Sequence, residues 1–135
     1  MAQLMEGENE MAKVAGIGGF FFRARDPKAL AAWYERHLGV ADIANGVWTQ
    51  EAGQTVFAPF AANTDYFGRR EQQWMINFRV DDLAAMTARL KAAGIDVETR
   101  AEWDSQAGRF ARIHDPEGNP IELWEPAPGG AKAVD

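Results

Sequence analysis

The chain says one thing twice. Phe22-Arg23-Ala24-Arg25-Asp26 leads into a run of helical periodicity that closes on Leu38-Gly39-Val40. Phe78-Arg79-Val80-Asp81-Asp82 leads into a second such run, closing on Ala93-Gly94-Ile95 at nearly the same spacing. Two copies of a strand-helix-strand unit in one short chain call for two half-sheets around a shared cleft. Function then has to be read from the side chains that face this cleft.

Composition bounds what that function can be. The 135 residues suffice for one domain with a real core. A net charge of -6 argues against a nucleic-acid partner, which needs a basic face. With no cysteine, disulfides, thiolate metal sites and a cysteine nucleophile are excluded. No apolar run approaches the ~20 residues of a membrane span, so no membrane partner is expected. Met1 to Glu10 is polar and acidic, unlike a secretory signal, which makes the cytoplasm the expected location.

Residues 1–13 lack periodicity and read as a flexible arm, and residues 127–135 as a flexible tail. Between them, residues 14–126 form one domain: module one over 14–60, a polar connector over 61–73, and module two over 74–126. In module one, 17–24 reads as a strand with a small-residue gap at Gly18 and Gly19. Asp26-Pro27 is a helix start, Leu30, Trp33, Tyr34 and Leu38 share a face, and Gly39 is the stop. Residues 40–51 and 54–60 read as strands. In module two, Trp74, Ile76, Phe78 and Val80 alternate with Met75, Asn77 and Arg79, the period of a half-buried strand. Asp81 or Asp82 caps a helix striped with Leu83, Met86, Leu90 and Ala93, and 95–99 is a short strand. Residues 110–114 and 120–125 make a hairpin across Asp115-Pro116-Glu117-Gly118-Asn119.

Alternation assigns the faces. If Ile76 and Phe78 lie against the helices, then Met75, Asn77 and Arg79 face the cleft. Ile121 and Leu123 belong to the core, so Glu122 and Trp124 share the opposite face. Ala111 and Ile113 are core, leaving Phe110, Arg112 and His114 beside Glu122, with Arg112 paired directly across from it. By analogy through Phe22 and Phe78, Gly19, Phe21 and Arg23 take the cleft face of the first strand.

These stretches resemble the vicinal oxygen chelate superfamily, the glyoxalase, bleomycin-resistance and extradiol-dioxygenase group. The resemblance rests on Arg25-Asp26-Pro27 through Trp33-Tyr34 to Leu38-Gly39, on Phe78-Arg79-Val80-Asp81-Asp82-Leu83, and most of all on Asp115 through Leu123. It implies an α+β fold of two βαβββ modules wrapping a cavity, commonly as a homodimer. Metal-dependent members carry ligands on the first and last strand of each module. Here those positions fall on Gly19, Phe57, Met75 and Glu122, and only Glu122 is a suitable donor. One carboxylate is too few when catalytic zinc takes about three protein ligands. No metal and no cofactor are therefore expected.

Two readings remain open. In the first, the chain is a metal-free binding module for a small aromatic or acyl anionic compound, lined by Phe21, Arg23, Phe57, Met75, Asn77, Arg79, Arg112 and Trp124. In the second, it is a metal-independent lyase or isomerase with Glu122 as the catalytic acid or base. The first is favoured, since a carboxylate neutralised by Arg112 is a weaker base. Each residue also has a plainer role available. Glu122 and Arg112 make an ordinary cross-strand pair worth ~0.2–1 kcal/mol, Arg23 and Arg79 make ion pairs at strand ends, and Phe21, Trp48, Phe57, Met75 and Trp124 fill a core. His114 reads as solvent-facing, His37 as a complement to its helix dipole, and Arg69-Arg70 as a solvated loop.

Overall fold

Two aspartates start the two α-helices among the described residues. Asp26 Oδ1 accepts from the Ala29 amide at 3.1 Å. Proline follows at the first helical position of α1 (Pro27–Leu38), where its missing N–H has no partner to lose. Gly39 closes α1 in the left-handed region, φ +70°, and its N–H returns to the Glu35 carbonyl at 3.0 Å. Asp82 repeats the device ahead of α2 (Leu83–Ala92), accepting from Ala85 at 3.0 Å. The computed structural model describes residues 12–42 and 44–128. The expected arm and tail therefore lie almost wholly outside the described residues.

Among the described residues three strands follow: β1 (Ile76–Arg79), β2 (Gly108–His114) and β3 (Pro120–Pro126). They form one mixed sheet in the order β1-β3-β2, with β3 parallel to β1 and antiparallel to β2. The hairpin register sets Arg112 against Glu122, as alternation requires. Ala111, Ile113, Ile121 and Leu123 are fully buried on the face that packs with Leu30 and Tyr34 of α1 and Leu83 and Leu90 of α2. The helices thus take one face of the sheet, and Asn77, Arg112 and Glu122 are left on the other. Among the described residues no helix is long and apolar enough to cross a membrane.

The hairpin turn is fastened to the head of α1. Asp115, only 4 % exposed, accepts from the Glu117 and Asn119 amides at 2.8 and 3.0 Å. It also accepts from Asn119 Nδ2 at 2.8 Å and from the Tyr34 hydroxyl at 2.7 Å. Glu117 in turn accepts from the Arg25 and Asp26 amides at 2.7 and 3.0 Å. The bonds from Tyr34, Arg25 and Asp26 join residues more than 80 apart in sequence, which no local pattern announces.

The first half differs from expectation. Segments 17–24, 40–51 and 54–60 form no ladder among the described residues, and Asp42 and Val47 make a single bridge. Segment 95–99 likewise contributes one bridge, Glu98 to Arg112, closed by two hydrogen bonds of 2.8 Å. The α+β class and mixed sheet hold, and of the two-module βαβββ arrangement the described residues form three strands. Extended segments need a face to bury, and hairpins without one are marginal. Phe20 and Phe22 pack on Trp74, and Trp48 packs on Phe78. Phe21 and Phe57, however, are 93 % and 85 % exposed, so the other side of these stretches is uncovered within the described chain.

Candidate functional site

The uncovered face of the sheet carries a polar cluster built from β1, β2, β3 and the connector. Asn77 and Glu122 are register neighbours on parallel strands, and Asn77 Nδ2 donates to Glu122 Oε1 at 2.8 Å. The other carboxylate oxygen, Oε2, accepts a short hydrogen bond from the Tyr66 hydroxyl. Tyr66 reaches it from the 61–73 connector, whose turn is held by Thr64 Oγ1 accepting from the Tyr66 amide at 3.2 Å. The Tyr66 ring lies nearly parallel to that of Phe60, with centroids 5.7 Å apart.

Arg112 supplies the positive charge, but not in the way expected. It is paired with Glu122 in register, yet no ion pair joins them; the ion pairs among the described residues link Arg25 to Glu117 and Arg100 to Glu98. The guanidinium instead lies 4.4 Å from the Tyr66 ring centroid and 5.5 Å from that of Trp103, a cation–π arrangement. Its Nε and Nη2 are buried without a hydrogen-bond partner. Unpaired buried donors are uncommon, since each forfeits its solvation. Burial, followed by the hydrogen bond to Glu122 and the Glu122 charge, raises the Tyr66 pKa above its ordinary 10.0, with Arg112 acting in opposition.

The structure brings together Asn77, Arg112 and Glu122 of the residues read from sequence. The others sit apart. Arg79 turns to the loop before it, donating to the Ala52 and Glu51 carbonyls at 3.5 and 3.3 Å. It lies so close to Gly53 that a Cβ there would fall 1.7 Å from Nη1. Arg23 is exposed, as are Phe21 and Phe57. Trp124 is buried, stacked on Phe110 and donating Nε1–H to the Ala107 carbonyl at 2.9 Å. Met75 lines a depression of about 330 Å³ with Phe60, Phe67 and Trp74. A second depression, about 410 Å³, lies between Trp48, Phe78, Met86 and Arg89. Neither is lined by Glu122.

Tyr66 and Trp103 are site residues that sequence reading missed. The charged residues around the Tyr66-Phe67 pair made the connector look solvated. An aromatic pair inside a polar stretch was the signal that could have found it. A divalent ion would need several converging donors. Among the described residues no three His, Cys, Asp or Glu side chains converge, and both Glu122 oxygens already hold an amide and a phenol. These residues do not fit a metal ion.

A three-stranded mixed sheet backed by two capped helices, with a carboxylate on its open face, defines a class of small α+β domain. The glyoxalase-like domain family model matches residues 19–124, and the chain belongs to that family. Among solved structures it is similar to TnmS3, an antibiotic binding protein from Streptomyces sp. CB03234. The two are 23% identical over 86% of this chain and 99% of that one, with a TM-score of 0.57. It is also similar to the fosfomycin resistance protein FosX from Listeria monocytogenes, solved with Mn(II) and sulfate. That identity is 14%, over 91% of this chain and 100% of that one, with a TM-score of 0.59. At such identities the likeness is one of fold. No curated protein matches the chain.

Proposed function

We propose that the chain is a small-molecule-binding member of the glyoxalase-like family that works without a metal and takes an aromatic or acyl compound bearing an anionic group. The observation that carries this reading is Arg112, whose Nε and Nη2 are buried with no acceptor beside the rings of Tyr66 and Trp103. A guanidinium with unused donors matches a carboxylate in charge and in planar geometry. The rings beside it suit the apolar part of such a ligand. TnmS3, an antibiotic binding protein, supports the reading only in that the same fold serves a binder. The domain is taken to span 14–126 and to act as a homodimer.

A lyase or isomerase role for Glu122 is the second reading. In its favour, the Tyr66 hydroxyl stands against the carboxylate, a proton donor beside an acceptor. It ranks lower because each oxygen already accepts a hydrogen bond within the chain, which competes with a substrate proton for the carboxylate.

Binding of 1-naphthoate and of its methyl ester, followed by tryptophan fluorescence, tests the first reading. The acid should saturate, and Arg112→Met should weaken it about tenfold or more through loss of a charge-assisted bond. Equal binding of acid and ester, or no effect of Arg112→Met, overturns it.

A further inference from the structure

Tyr66 is the hydrogen-bonding member of the cluster that does not come from the sheet. Its phenol meets three partners supplied by separate segments: the carboxylate of Glu122, the guanidinium of Arg112 and the ring of Phe60. Asn77 holds Glu122 at Oε1, and the phenol takes Oε2. Tyr66 is only half-buried, and it is carried on a connector of single turns, Thr64 to Ala61 and Gly68 to Asp65, with no ladder of its own. The sheet residues are held by strand pairing, whereas the ring is held by its own contacts.

We infer that Tyr66 is a built-in occupant of a site for hydroxy-aromatic compounds. An external phenol displaces it, donates its hydroxyl to Glu122 and lays its ring against Arg112. This rests on the binding reading above and narrows its ligand to aromatics with a ring hydroxyl. The hydroxyl is the selecting group, because a ring without one leaves the Glu122 oxygen that Tyr66 satisfied without a donor. The guanidinium adds attraction for the ring face and for any acidic substituent next to it. The connector then acts as a strap: it shields the carboxylate while the site is empty and yields it to a ring of the same chemistry.

Removal of the occupant tests this with 4-methylphenol as the probe and toluene as its control. The Tyr66→Ala chain should bind 4-methylphenol saturably, about tenfold or more tighter than it binds toluene. The preference should vanish when Glu122→Gln is added, and the wild-type chain should bind the phenol more weakly than Tyr66→Ala does. Equal binding of phenol and toluene, or wild-type binding as tight as that of Tyr66→Ala, overturns the proposal. Should Tyr66→Ala fail to fold, 2-naphthol and naphthalene are titrated into the wild-type chain and the Tyr66 ring protons followed by NMR. Displacement predicts a shift with naphthol alone, and no shift at saturation refutes it. Both probes are neutral, so they report on the Glu122 slot. The naphthoate pair reports on Arg112, and the two readings fail separately.

Discussion

Replacing Tyr34 by Phe removes one oxygen from the bond network that joins the hairpin turn to α1. The ring is buried and keeps its edge-on contacts with Trp33, Phe22 and Phe78, at centroid distances of 5.3, 6.4 and 6.3 Å. The loss is then confined to the 2.7 Å bond from the hydroxyl to Asp115 Oδ2. Hydrogen bonds to charged groups contribute about 1.5–3 kcal/mol. Oδ2 retains Asn119 Nδ2 at 2.8 Å, so the carboxylate is not orphaned, and the lower part of that range, ~1.5–2 kcal/mol, is expected. With a urea m-value on the order of 1–3 kcal/mol/M for a small domain, the midpoint should fall by about 1 M with m unchanged. A cycle with Asp115→Ala isolates the pair, and the coupling should equal most of the Tyr34→Phe effect. A shift under ~0.5 kcal/mol, or additive single variants, would refute the assignment of Tyr34–Asp115 as the clamp.

The same hydroxyl sets an alkaline limit. Burial, then the hydrogen bond to Asp115 and the Asp115 charge, hold the Tyr34 pKa well above its ordinary 10.0. The unfolded chain loses this proton near pH 10 while the folded chain keeps it. Stability is therefore full below that pH and falls above it, by up to ~1.4 kcal/mol per pH unit, and Tyr34→Phe should flatten the decline in pH-dependent urea titrations. Gly108→Ala should destabilise by on the order of 2–4 kcal/mol, because φ is +137° and a Cβ would fall 2.1 Å from the Glu125 carbonyl oxygen; thermal melting near wild type would contradict this. Elemental analysis of dialysed protein should find far less than one equivalent of Zn, Ni, Mn or Fe per chain, and a full equivalent would overturn the judgement that the Glu122 donors do not fit a metal. Light scattering should give twice the 14.9 kDa chain mass, and a value at the chain mass itself would count against the homodimer.

The two helices and much of the second half were legible in sequence because their determinants are short-range. Asp26, Asp82 and Gly39 act within a turn of where they sit. Period-two alternation through Ile76 to Val80 and Pro120 to Glu125 assigned the buried face, and Asp115 through Asn119 set the hairpin register that pairs Arg112 with Glu122. The first half read equally well as strands, but a strand pattern records only which side chains prefer burial. Pairing depends on a covering face, and the described chain provides none for Phe21 or Phe57.

For the candidate site, the sequence by itself determined which residues share the open face: Asn77, Arg112 and Glu122. Tertiary structure alone decided how they are partnered. Adjacency in register suggested that Arg112 neutralises Glu122, yet the carboxylate goes to Tyr66, 56 positions away, and the guanidinium to aromatic rings. Arg79 shows the same limit, since alternation placed it on the cleft face but loop carbonyls hold its side chain. Periodicity and capping depend on neighbours a few residues off, which the sequence specifies directly. The partner of a long polar side chain depends on which distant loop comes to rest over the sheet, and no local pattern encodes that.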